Sequence, residues 1–136
     1  MNTTQREVNV KFRDNRVSFS GSGISQDGRI LIPTESGLIV LRLKTSRVRF
    51  PSFPIQWTIQ QSAAPPATGT EFAPIAQPSE ATVIRKSDRE SDIRIVSPEG
   101  TREFSFFVLV ETPDGKFFGT DPTIVTMRPP DPNDAR

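Results

Sequence analysis

The sequence predicts an all-β domain, a two-layer sandwich of about seven to nine short strands. Three observations carry that prediction. Apolar residues alternate with polar ones along most of the chain, the pattern of strands with one face in a core and one in water. Glycine, proline and aspartate break the alternation at short intervals, as turns do. No segment keeps an apolar stripe at helical spacing. Residues 81–96 come nearest, but Thr82, Val83, Ile84, Ile93, Ile95 and Val96 are β-branched and stiff in a helix.

The elements follow in order. Val8, Val10 and Phe12 alternate with polar neighbours, and Val17 and Phe19 do the same against Ser18 and Ser20. Gly21-Ser22-Gly23 reads as a bend, because glycine accepts backbone angles that other residues resist. Asp27-Gly28 is a hairpin-type signal ahead of Arg29-Ile30-Leu31-Ile32. Residues 37–44 begin apolar on both faces, with Leu38 and Val40 on one and Ile39, Leu41 and Leu43 on the other. A strand covered on both sides has this composition. Val48 and Phe50 follow, then Ile55, Trp57 and Ile59 alternate with Gln56, Thr58 and Gln60.

Residues 61–79 break the pattern with Ala, Pro, Ser, Thr and Gly, and predict a long surface loop. Strands resume at 81–86 and 92–96, on either side of a charged turn. The strongest hairpin joins 103–111 to 116–119 through Thr112-Pro113-Asp114-Gly115, where proline fixes its own φ and glycine takes the positive one. A last strand at 123–127 ends at Arg128-Pro129-Pro130. One domain over 1–128 with a disordered tail at 129–136 accounts for the whole pattern.

Composition agrees and excludes several functions. At 136 residues the chain can bury roughly two-thirds of the surface that it exposes when unfolded. A hydrophobic share of 34% is lean, and thirteen prolines favour short strands and many loops over long helices. Seventeen basic against sixteen acidic residues give no whole-chain pull toward nucleic acid or anionic membrane. There is no cysteine, so no disulfide framework or thiolate chemistry is expected. There is no histidine, which removes imidazole catalysis and the commonest metal ligand. No cofactor or metal is expected. Residues 1–7 lack the apolar stretch of a secretory signal, and no run approaches the ~18 apolar residues of a membrane span. With Met1 as the start, the expected location is the cytoplasm.

Two resemblances sharpen the fold. Trp57 lies inward on about the fifth strand, directly after the apolar strand 37–43. This is similar to the core tryptophan of an immunoglobulin-like sandwich, with 103–111 and its hairpin partner in the place of strands F and G. The inter-sheet cysteine pair and the tyrosine corner of antibody domains are missing. The C-terminal third also resembles a small uncharacterised bacterial family, the DP-EP family. The residues concerned are Phe106-Phe107-Val108-Leu109-Val110, Pro113-Asp114-Gly115-Lys116 and Gly119-Thr120-Asp121-Pro122-Thr123-Ile124. Asp-Pro stands at 121–122, and no Glu-Pro dipeptide occurs anywhere. That resemblance implies an immunoglobulin-like sandwich and no known activity.

Four groups of residues invite a functional reading. Arg42, Lys44, Arg47 and Arg49 form a basic run with no acidic residue between Glu35 and Glu71. Strand alternation would place Arg42 with Lys44 and Arg47 with Arg49, making a ridge suited to a phosphate or carboxylate partner. The ordinary alternative is a solvated face or a charged edge that blocks aggregation. Asp88-x-Glu90-x-Asp92 with Glu99 partly matches a calcium loop, but Ile93 stands where the loop needs glycine, and a charged hairpin turn is the simpler account. Enzyme chemistry has little to stand on: no Ser-x-x-Lys, no Gly-x-Ser-x-Gly elbow, no phosphate loop and no dinucleotide fingerprint are present. A carboxylate pair converging in space would be the one route to a hydrolase.

The last group is the strand 103–111. Phe104, Phe106, Val108 and Val110 make one apolar face and Phe107 and Leu109 another. Something must cover the second face. The chain's own loop 61–79 or its N-terminal segment would serve, and so would a second subunit. The expected function is therefore a non-enzymatic protein-interaction or structural module, self-associating through Phe107 and Leu109. The alternatives are an anion- or nucleic-acid-binding module on the basic run, or a carboxylate-based hydrolase. Expected partners are a protein or a second copy, with nucleic acid disfavoured and no membrane.

Overall fold

The alternation becomes ten strands in a computed structural model, which describes residues 3–21, 23–25, 28–58, 76–97, 101–119 and 123–128. In chain order they are β1 (Thr3–Arg13), β2 (Arg16–Gly21), β3 (Arg29–Ile32), β4 (Ser36–Leu43), β5 (Ile55–Thr58), β6 (Ala81–Arg85), β7 (Glu90–Val96), β8 (Arg102–Glu111), β9 (Phe117–Gly119) and β10 (Thr123–Met127). The proline-rich stretch 61–75 and the tail 129–136 lie outside the described residues. Among the described residues no helix is long and apolar enough to cross a membrane.

Two mixed sheets form. The first runs β2-β1-β4-β7-β6 and the second β3-β10-β8-β5, with β9 also paired to β8. The β1–β2 hairpin turns on Asp14-Asn15, both at positive φ (54° and 60°), and closes with Arg13 opposite Arg16. Two left-handed residues are what a two-residue hairpin needs, and Asp and Asn tolerate that region better than other side chains.

β4 is central in the first sheet, parallel to β1 and antiparallel to β7. Its Ile39, Leu41 and Leu43 enter the core, while Val40, on the opposite face, is only 5% exposed. That is the doubly covered strand its composition predicted. β4 also passes close to β3, where a Cβ on Gly37 would run into Ile32.

β8 is central in the second sheet. Trp57 of β5 and Thr123 of β10 both lie opposite its Phe106. Trp57 is buried as predicted, with its ring centroid 5.4 Å from that of Phe106. The core then joins Val8, Ile39, Leu41 and Ile93 of the first sheet to Ile32, Phe106, Val108 and Val125 of the second. Each such side chain contributes roughly 1.5–3 kcal/mol through burial.

The order β1-β4-β7-β6 against β5-β8-β10 follows that of the A-B-E-D and C-F-G sheets of an immunoglobulin-type sandwich, but β1 runs parallel to β4 and β3 parallel to β10, where that sandwich has antiparallel sheets. Trp57 stands on the C-like strand and β8 in the place of F. The ten strands, one more than the expected seven to nine, include β2 at the edge of the first sheet beyond β1, and β9 and β10 along β8.

Candidate functional site

The basic run 42–49 straddles the end of β4, and the fold divides it. Arg42 is the one charged residue of β4 and faces away from the core. Its guanidinium donates to Glu7 of β1, and that hydrogen bond raises the Arg42 pKa above its ordinary value, with Glu90 and Asp92 adding attraction. Beside it Lys86 Nζ lies 2.9 Å from Asp92 Oδ2, and the bond likewise raises the lysine pKa. Two ion pairs thus stand on the outer face of the first sheet.

Past β4 the chain turns. The Lys44 amide donates to the Val10 carbonyl (2.8 Å), while its side chain is exposed and makes no ion pair among the described residues. The turn is fixed from several sides. Thr45 exchanges hydrogen bonds with the Phe12 backbone at 2.8 and 3.2 Å. Arg89 sends one nitrogen to the carbonyls of Thr45 (2.7 Å) and Val48 (3.1 Å). Within this clamp Arg47 is held at φ 71°, a left-handed conformation uncommon for a bulky side chain. Arg47 is exposed and, like Lys44, has no ion-pair partner among the described residues.

Arg49 joins the second sheet. Its backbone pairs with that of Glu111 in both directions (3.0 and 2.7 Å), and its guanidinium forks onto the same residue's carboxylate at 3.2 and 3.3 Å. The fork raises the Arg49 pKa. Two-point geometry of this kind suits arginine and not lysine. The predicted single ridge therefore does not form: Arg42 is engaged on one sheet and Arg49 on the other.

Between the turn and the end of β8 lies an open cleft of about 340 Å³, lined by Arg47, Val48, Arg49, Glu111, Thr112 and Pro113. Its far wall is the predicted Pro-Asp-Gly turn, closed by Thr112 N–H to Lys116 O and Gly115 N–H to Thr112 O, both 2.9 Å, with Gly115 at φ 83°. The Thr112 hydroxyl donates to Asp114 and lowers that carboxyl's pKa. Phe117 lies opposite Glu111 on β9 and is 55% exposed. Phe53, in the segment between Arg49 and β5, is 83% exposed.

The sequence predicts a covered second face of β8, by the chain itself or by a second subunit, and at Phe107 the single chain already covers it. Phe107 is 2% exposed in the single chain although it lies outside the core cluster, and Leu109 is half-buried. Thr58, Ser105 and Thr126 are buried on the same outward face. Residues 3–13 do not provide the cover, because they form β1 of the other sheet. The other proposed cover, loop 61–79, falls largely outside the described residues.

The calcium-like spacing is used for ion pairs, Asp88 with Arg85 and Asp92 with Lys86. Glu99 lies outside the described residues, and no metal-holding cluster of acids occurs among them. Glu111 and Arg89, the two residues that set the cleft's shape, carried no sequence signal. Glu111 is 62 positions from Arg49, and Arg89 sits in a turn that reads only as charged. Compared with known proteins, the chain matches no family model and no curated relative.

Proposed function

We propose that the chain is a non-enzymatic protein-interaction module that meets its partner with the end of the second sheet, where Arg47, Arg49, Phe53 and Phe117 stand. The observation that carries this reading is the exposure of Phe117, which stands opposite Glu111 at the wall of the cleft. Interface centres are enriched in aromatic rings and arginine, and a pre-ordered surface loses less entropy on binding. The absence of histidine and cysteine removes the usual bases and thiol nucleophiles and supports binding over catalysis. A chain without cysteine also suits the reducing cytoplasm. The immunoglobulin-like strand order and the DP-EP resemblance are compatible with the reading, but neither specifies an activity.

Site-specific photo-crosslinking tests the proposal. A photoreactive phenylalanine analogue at position 117 is compared with one at Ile84, an exposed apolar residue of the first sheet. The reading expects one discrete adduct from position 117 in the host cell and none from position 84. A dimer-sized adduct formed by the purified protein identifies a second copy as the partner. Equal labelling at both positions, or none at 117, contradicts the reading.

A further inference from the structure

We infer that the cleft accepts a carboxylate side chain of an acidic protein segment, with Arg47 as the cation that reads it. The inference rests on the interaction-module reading and names the chemistry of the partner. Three independent observations support it.

The first is charge. Arg49 is committed to Glu111 through both arms of its fork, so among the described residues the cation lining the cleft without an ion-pair partner is Arg47, with exposed Lys44 just upstream. The second is backbone conformation. A left-handed arginine costs energy, and the surrounding hydrogen bonds from Arg89 and to Glu111 hold it in place. Glycine would occupy that position without strain, yet an arginine stands there. The third is the lining, where exposed Pro113 gives the cleft apolar surface beside the charge, with Val48 buried beneath in the core. A carboxylate on a short aliphatic stem matches that combination, and guanidinium binds carboxylate with paired hydrogen bonds.

A polynucleotide matches it less well. Phosphate tracking needs several free cations along a path, whereas Arg42 and Arg49 are paired to acids and Glu111 forms part of the cleft wall.

Fluorescence anisotropy tests the inference with two labelled probes, a glutamate- and leucine-rich peptide and an oligothymidylate of similar charge. The peptide is expected to bind, and Arg47→Gly to weaken it about tenfold, as the loss of a charge-assisted hydrogen bond does. Arg47→Lys should recover part of the loss, and Arg42→Ala should change nothing. Circular dichroism of each variant confirms folding. Tighter binding of the oligonucleotide than of the peptide overturns the carboxylate assignment. So does peptide binding that is insensitive to Arg47, or no binding at all. The photo-crosslink at position 117 reports separately on the interaction surface, so failure of the peptide leaves that reading to its own test.

Discussion

The outward faces of the two sheets solve the same problem in opposite ways. On the first sheet, Arg42 pairs with Glu7 and Lys86 with Asp92; Glu7, Arg42 and Lys86 stay in contact with water, and only Asp92 is buried. On the second, Phe107, Thr58, Ser105 and Thr126 are all buried although they point away from the core. The difference teaches that apolar residues on both faces of a strand can be buried within one chain. In β4 the outward Val40 is buried and Leu38 half-buried, and in β8 the single chain already buries Phe107. The partner surface proposed above lies beside Arg47 and Phe117, at the end of the second sheet.

The largest expected effect separates the two faces by stability. Phe107→Ala should cost about 3–5 kcal/mol, as removal of a core phenylalanine does. Ile84→Ala, on the first sheet's outer face, should stay within about 0.5 kcal/mol. Urea unfolding of both variants measures the contrast, and equal midpoints would erase it.

A smaller effect of opposite sign is expected at the corner. Arg47→Gly should raise stability by up to about 1 kcal/mol, because glycine relieves the left-handed strain, less its larger freedom when unfolded. A clear loss of stability would mean that the arginine side chain holds the turn. Arg49→Met should lower the thermal midpoint by less than Phe107→Ala, since it leaves the Glu111 carboxylate without its fork on a partly exposed edge. An unchanged midpoint would show that the backbone bridge alone fixes the cleft wall.

The smallest expected effect is a pH dependence. The Asp114 pKa is held below its ordinary value of 3.8, first by the hydrogen bond from Thr112. Its contribution is therefore present above that value and is lost as the pH falls through the lower, folded-state pKa. Thermal midpoints of wild type and Asp114→Asn should differ at neutral pH and converge below about pH 4. A constant gap would assign the turn's stability to the Pro-Gly geometry instead.

Much of the fold was legible because period-two alternation is a local signal. Trp57, the doubly covered strand 37–43 and the Pro-Asp-Gly hairpin were each written in a few consecutive residues. The Asp14-Asn15 turn was less visible, since it contains no glycine. Of the site, the run Arg42 to Arg49 was visible as composition, but its division between two sheets was not. That division depends on Glu7 and Glu111, residues brought close by strand pairing and not by sequence proximity. The same holds for Phe107, whose composition could not distinguish cover by its own chain from cover by another.

The most direct test is amide-resolved chemical-shift mapping with the glutamate- and leucine-rich peptide on the folded chain. The account predicts shifts concentrated at Arg47, Val48, Arg49, Glu111 and Thr112, with the amides around Glu7, Arg42 and Asp92 unmoved. Shifts centred on the first sheet's charged face, or none at the cleft at saturating peptide, would contradict it.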